Sequence, residues 1–317
     1  MNEKIVVAGA GGYIGGRMVE FLLKKGHKNI RAVSSKPAKQ WLKSFPAVEN
    51  VCYDLQHREQ CERALDGALI VYNFAAKVGG IGYIGAHNVD CMLSSLINTH
   101  LLMAAEQNQV IRYFFASSSC VYPASESPLR ESDAYPAQPT TEYGWEKLFS
   151  ERMCLNFEKD RGVPVTIARL HTLYGPGDIR APGKDHVVAA LCRKVAEAKI
   201  ANKNEINIWG DGSQTRSLLY IDDCVEGIYK LAASGTTGPV NLANSEVISV
   251  NQLVFLLEEI AGIKLMKFYG PNAPVGCPHK FSDNAMLRRA LSWEPMVSIR
   301  DGLAATYRDV YDRLLKA

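Results

Sequence analysis

The chain reads as an α/β protein, a doubly wound parallel sheet joined to a smaller C-terminal α/β unit. Three observations predict this. A β-branched run in "KIVVAGAGGYIGG" enters a glycine-rich turn, and an amphipathic segment follows that stops at Gly26. Strand-like runs recur at 29–34, 48–54, 68–76, 112–118 and 165–170, with helical patterns over 57–66, 89–107 and 142–160 between most of them. A further helix and strand return at 222–243, after a stretch of different character. Strands alternating with helices of this length favour a parallel sheet covered on both faces.

The glycines come first. Gly9 allows the tight turn after the first strand, Gly12 lets backbone approach a pyrophosphate, and Gly15 permits close helix–strand packing. The N-terminus of the following helix then faces the phosphates, which makes the unit a Rossmann-type dinucleotide site. The second strand ends at Ser34-Ser35-Lys36. An NAD-selective site often carries a carboxylate there for the ribose 2′-hydroxyl. Ser34 supplies none, while Ser35, Lys36 and Arg17 could tolerate a 2′-phosphate, so NAD is expected and NADP stays open. A solvated turn reads equally well. Asp54 ends the third strand, as an adenine acceptor or as a helix cap. Tyr13, Ile14, Leu55, Ala75 and Lys77 complete the candidate cofactor contacts.

Composition narrows the classes. The 317 residues suffice for one large or two closely joined domains, and 47% hydrophobic content is ordinary for a globular protein. A net charge of +3, with both signs interspersed, gives no case for nucleic acid or membrane. The first strand starts too early for a signal peptide, and no apolar run reaches membrane-spanning length. The eight cysteines form no CxxC pair, so no metal site is expected. Free thiols in a reduced, cytoplasmic setting are the expectation.

"EYGWEKL" sets Tyr143 and Lys147 four apart on one helical face. A tyrosine titrates near ~10, and a neighbouring ammonium favours phenolate. Phenolate can take a sugar hydroxyl's proton while hydride leaves the same carbon. Ser118, at the C-terminal end of a strand, could hydrogen-bond that oxygen. The pattern YxxxK is common on helices; after a glycine-rich βα unit and a serine-ended strand it reads as a hydride site.

These motifs together resemble the extended short-chain dehydrogenase/reductase family over essentially the whole chain. The resemblance implies a dinucleotide-binding domain over 1–170 plus about 222–243, and a nucleotide-sugar domain over 171–221 plus 244–317. It also implies a homodimer paired through the helices at 89–107 and 142–160. In the family's 4,6-dehydratases an Asp and a Glu follow the catalytic hydroxyl residue; here Ser119 and Cys120 stand there, which argues against dehydration. A thiol, titrating near ~8.5 when free, can still remove a proton from carbon next to a ketone. Inverting a carbon needs a second group on the opposite face. His186 opens a helix in "GKDHVVAALCRK" and can work in either direction near neutral pH, with Lys184 as fallback.

Two branches of the family are similar to this chain. "AAKVGGI", "SSCVYP" and "HVVAALCRK" resemble GDP-L-fucose synthases; "RESDAYPAQPTTEYGWEKL", "ARLHTLYGP" and "WGDGSQTRSLLYIDDCVEG" resemble GDP-mannose 3,5-epimerases. The chain departs from the epimerase branch at His186, where lysine is usual, at Ser34 and at Lys77. By resemblance Arg193, Lys194, Trp209, Arg216 and Lys280 hold a nucleotide diphosphate with its ribose or base. Gln214 and Ser119 add polar contacts, and Gly79 and Gly80 form a loop over the sugar. The proline-rich loop 123–139 is read as able to close over the substrate. The expected activity is 3,5-epimerisation of a nucleotide sugar, GDP-mannose or a close relative, through a transient C4 ketone. A reductase of the fucose-synthase kind, a C4-epimerase with Cys120 as packing, and a redox sensor without turnover are the alternatives.

Overall fold

The computed structural model describes residues 3–178, 186–270 and 276–316. The first half alternates β1 (Ile5–Ala8), α1 (Tyr13–Lys24), β2 (Ile30–Ser34), β3 (Glu49–Cys52), α2 (Arg58–Leu65) and β4 (Ile70–Asn73). It continues through α3 (Ile81–Ala86), α4 (Asn88–Met92), α5 (Ser94–Gln107), β5 (Arg112–Ser118), α6 (Glu142–Arg161) and β6 (Val165–Leu170). Next come β7 (Thr172–Tyr174), α7 (Val187–Ile200), β8 (Glu205–Trp209), β9 (Thr215–Tyr220), α8 (Ile221–Ser234) and β10 (Pro239–Leu242). The chain ends with β11 (Val247–Ser249), α9 (Val250–Ala261), β12 (Met266–Gly270), β13 (His279–Lys280), α10 (Ala285–Leu291) and α11 (Ile299–Leu314).

Seven parallel strands form the main sheet in the order β3-β2-β1-β4-β5-β6-β10. The expected Rossmann-type doubly wound sheet is therefore present, with β10 returning to its far edge. The alternating side-chain directions of each strand sort its residues between two cores. Ile5 and Val7 face one cluster and Val6 and Ala8 the other; Phe114 and Ala116 divide from Tyr113 and Phe115 in the same way. Both faces are buried, so the strands read as continuous apolar runs rather than alternating ones. The strand order reverses between β1 and β4, and a crevice opens there at the carboxyl ends of the strands.

A third core gathers Val188, Leu191, Ile206, Leu218, Leu253, Leu257 and Leu303 from α7, β8, β9, α9 and α11. Here β9 pairs with β11, β13 and β7, and β8 with β12. Within the C-terminal segment, Leu287 of α10 packs into the core of the main sheet. The helix expected over 89–107 is two helices: α4 stops at Met92, and Ser94 opens α5 with its hydroxyl accepting Lys77 N at 3.0 Å.

The loop at 123–139 is pinned rather than poised. Leu129 N donates to Phe281 O, the Glu131 carboxylate accepts Asn241 N, and the Glu131 carbonyl accepts from Arg169. None of its residues lines the cavity described below. Arg169 itself is buried and makes a bidentate pair with Glu151 at 2.9 and 2.6 Å, while its Nη1 donates to the Tyr122 hydroxyl at 2.9 Å. Removing one partner strands the other charge in the core. Arg169→Met is expected to lower the unfolding free energy by about 3–5 kcal/mol in a denaturant titration; a loss under about 1 kcal/mol would show that the pair carries little of the fold.

Candidate active site

The glycine turn is as tight as its sequence implies. Gly9 has φ +84°, and an added Cβ would lie 2.8 Å from the Phe74 backbone after β4. A Cβ on Gly15 would lie 2.3 Å from Gly9 O, so helix α1 and the turn touch directly. Gly12 is the N-cap of α1 and no side chain caps it, leaving the first N–H groups directed out of the helix. This cradle fits a pyrophosphate. Gly11, absent from the expected pattern, is equally constrained: a Cβ there would lie 2.6 Å from Ser34 Oγ.

The adenosine side differs in part from expectation. Arg17 is held by Asp222 and Glu20 rather than turned to the end of β2. Ser35 and Lys36 are exposed, and Trp41 Nε1 fixes their turn by donating to Lys36 O at 2.6 Å. The Asp54 carboxylate accepts Gln56 N at 3.1 Å in a local turn, and the N-cap of α2 is His57, with no side-chain cap, so Asp54 does not cap that helix. The Leu55 side chain is core, leaving only its backbone to meet a ligand. Lys77 is exposed and outside the cavity, because Ser94 ties its N–H to the start of α5. Ala75 N is held by Asn73 Oδ1 at 3.0 Å.

A cavity of about 380 Å³ opens beside this turn. Tyr13, Ile14, Ser118, Ser119, Cys120, Tyr143, Lys147 and His186 all line it. Strand β5 delivers Ser118 at its carboxyl end. The chain then tightens into a 3-10 turn over Ser119–Val121, with Ser118 Oγ accepting Cys120 N at 3.1 Å. Thr141 caps α6 by accepting Gly144 N at 3.2 Å. Gly144 explains how helix and turn meet, since a Cβ there would lie 2.1 Å from Cys120 O. No larger residue fits, and this contact sets Tyr143 beside Ser118, which hydrogen-bonds it.

Lys147 lies under these groups, its Nζ 5.7 Å from the Tyr143 ring centre, 4.8 Å from that of Phe115 and 3.6 Å from Glu146 Oε2. Glu146 is fixed in turn by Asn98 Nδ2 at 2.7 Å and Ser150 Oγ at 2.8 Å. Burial holds the Tyr143 phenol well above its ordinary range, with Cys120 and Glu146 adding to the effect and the Ser118 hydrogen bond opposing it.

His186 is the N-cap of α7 and faces the cavity from the side of the third core; Lys184 lies outside the described residues. Arg193, Lys194, Trp209, Gln214 and Arg216 line the same end. Lys194 sits 5.6 Å from the Trp209 ring centre and donates to Asn207 O at 2.8 Å. Arg216 donates to Thr215 O and Pro278 O, and burial lowers its affinity for its proton. Gln214 is 7% exposed, and among the described residues its Oε1 has no partner, which suits a ligand contact. Gly79 and Gly80 are buried in the cavity wall, where a Cβ on Gly79 would lie 2.7 Å from Tyr83 Cβ. Lys280 departs from expectation. Grouped by sequence with the diphosphate cations, it directs Nζ at Cys120 Sγ, 3.6 Å away, because β13 pairs with β9 on this wall.

Sequence reasoning missed Gly144, Cys277 and His171. His171 is buried on the cavity wall, and among the described residues neither ring nitrogen makes a hydrogen bond of normal geometry. Burial first, then the charge of Lys280, pushes it down to about 3.

Fold and cavity together define an enzyme that works beside a bound dinucleotide. The chain belongs to the NAD dependent epimerase/dehydratase family, whose model matches residues 5–243. It is 34% identical to rice (Oryza sativa subsp. japonica) GDP-mannose 3,5-epimerase 1, over 99% of this chain and 83% of that protein. It is 30% identical to GDP-L-fucose synthase 1 of Arabidopsis thaliana, over 96% of this chain and 92% of that protein. The fold matches the UDP-glucose 4-epimerase of Thermotoga maritima, with TM-score 0.87, 24% identity and complete coverage of both chains.

Gly144→Ala tests the contact beneath the site. Shifting the first turn of α6 by about 1 Å is expected to cut turnover about a hundredfold, read as initial rate, with coenzyme binding retained. Wild-type turnover would show that Tyr143 is not positioned by this contact.

Proposed function

We propose that the chain is a nucleotide-sugar 3,5-epimerase acting on GDP-mannose or a close GDP-linked sugar through a transient ketone at C4. One observation carries the reading: Ser118, Cys120, Tyr143, Lys147 and His186 line a single cavity next to the glycine cradle. The 34% identity to plant GDP-mannose 3,5-epimerases across 99% of the chain supports the sugar and the base.

The backbone of Gly9, Gly12 and Gly15 would hold the NAD pyrophosphate, with Ser34 and Asp54 on the adenosine side and Tyr143 and Lys147 toward the nicotinamide. Held there, NAD would supply a reversible hydride acceptor for the sugar C4. Tyr143, as phenolate, takes the C4 hydroxyl proton and, as phenol, gives it back, and the Lys147 ammonium favours the phenolate that starts the cycle. Ser118 holds the same oxygen. A ketone at C4 acidifies the protons on C3 and C5, and Cys120 and His186 exchange them from opposite faces. Arg193, Lys194, Arg216, Trp209 and Gln214 form the nucleotide end, where a guanidinium suits a diphosphate.

Ser34 favours a second reading, because β2 ends without the carboxylate that selects NAD. On that reading the chain is a reductase of the GDP-L-fucose synthase kind using NADPH. A homodimer also fits: Val89, Met92, Leu96, Trp145 and Phe149 expose apolar surface along α4, α5 and α6. Eight free cysteines suit a reducing, cytoplasmic setting. No helix among the described residues is long and apolar enough to cross a membrane.

Incubation with GDP-mannose and no added coenzyme is expected to yield C3 and C5 epimers by NMR, with no net change in coenzyme. Tyr143→Phe is expected to slow this by about a hundredfold or more. An unchanged GDP-mannose pool, with NADPH consumed one for one on a 4-keto-6-deoxy sugar, would replace the epimerase reading with the reductive one.

A further inference from the structure

Lys280 reaches the sulfur of Cys120 from a distant part of the chain, and it is built in rather than loose. Strand β13 pairs with β9 in a register that sets Lys280 beside Arg216. His279 Nδ1 lies 2.8 Å from Thr215 Oγ1, fixing one side of the strand. On the other side Leu129 N donates to Phe281 O and Asp283 N to Leu129 O, each at 2.9 Å. These bonds tie the lysine to the segment that follows Cys120, and Nζ lies 3.6 Å from Sγ.

The other groups facing the sulfur are Arg216 from β9, Tyr143 from α6 and Cys91 from α4. His186 and His171 line the same cavity. Burial raises both Tyr143 and Cys91, which favours their uncharged forms before cofactor and sugar enter. His171, pushed down to about 3, is neutral as well. Cys277 lines the same wall and also acts on Arg216. Lys280 and Arg216 are the two cations that β13 and β9 bring to this partly buried thiol. An ammonium at this range offsets the desolvation that disfavours a thiolate.

We propose that the Lys280 ammonium stabilises the negative charge that the Cys120 sulfur carries when it acts as the carbon base. This deepens the reading of Cys120 given above and rests on it for the role in turnover. The thiol's proton leaves to solvent. The thiolate then takes the carbon-bound proton next to the ketone, becoming S–H, and can return it. Lys280 is a positioning residue and exchanges no proton with the sugar.

The test needs no sugar. The purified full chain with NAD is alkylated by iodoacetamide from about pH 5 to 10, a range that brackets the free thiol's ~8.5, and modification is read on the peptide carrying Cys120. Lys280→Met is expected to move the half-maximal pH upward by about one unit, a tenfold loss of thiolate at fixed pH. Lys280→Arg is expected to restore the wild-type profile. Should Lys280→Met fail to fold, Lys280→Gln takes its place in the same titration, with the same upward shift expected. An unchanged alkylation profile in the folded variant overturns the proposal. Failure of GDP-mannose turnover leaves this readout standing, and an active epimerase with an unchanged profile removes Lys280 alone.

Discussion

The bare Cα of Gly144 against the carbonyl of Cys120 is the contact to which the cavity is referred. It joins the two segments that carry the reactive groups, the carboxyl end of β5 and the first turn of α6. Both are single, stiff elements at this point, so closing the distance between them fixes several side chains at once. Tyr143 precedes the contact, Lys147 lies one turn beyond it, and Ser118 and Cys120 flank the opposing turn. Placing reactive groups on the ends of rigid elements holds them to a precision that a loop would not give.

Behind this contact lies a layer of buried polar groups. Asn73, Asn98, Glu146 and Ser150 form one hydrogen-bonded set beneath Lys147. Ser117, Glu151, Arg169, Tyr122 and Asn241 form another beneath the Ser119–Val121 turn. Such sets stay in a protein interior only when nearly every member is satisfied. They specify one arrangement of β5, β6, β10 and α6, and they explain why α6 buries so many charged side chains on its inner face. Among the buried side-chain atoms without a hydrogen bond of normal geometry in the described residues, those of His171, Gln214 and Tyr13 lie on the cavity wall itself.

Much of this was legible before the coordinates. The strand runs are apolar on both faces, so their burial was written in composition, and the glycines at 9, 12 and 15 have a steric purpose that spacing alone reveals. Tyr143 and Lys147 carry a local signature for the same reason. The buried set was not legible: Glu146, Glu151 and Arg169 look like a solvated helix face and an edge charge until a partner from another element is known. Gly144 looks like a weak spot in a helix unless one knows what lies against it. Lys280 is separated from Cys120 by 160 residues, and only the pairing of β13 with β9 brings it to the sulfur. The Ser94–Lys77 contact sits at the split between α4 and α5, and no periodicity encodes it.

The account reduces to reversible proton removal from sugar carbon by the sulfur at the end of β5. Mass spectrometry with NMR of the nucleotide sugar recovered after turnover of GDP-mannose in heavy water tests this most directly. Solvent deuterium on carbon at C3 or C5, lost at one of these positions in Cys120→Ala while hydride exchange at C4 persists, is the predicted result. Epimerised sugar that carries no carbon-bound deuterium would contradict it.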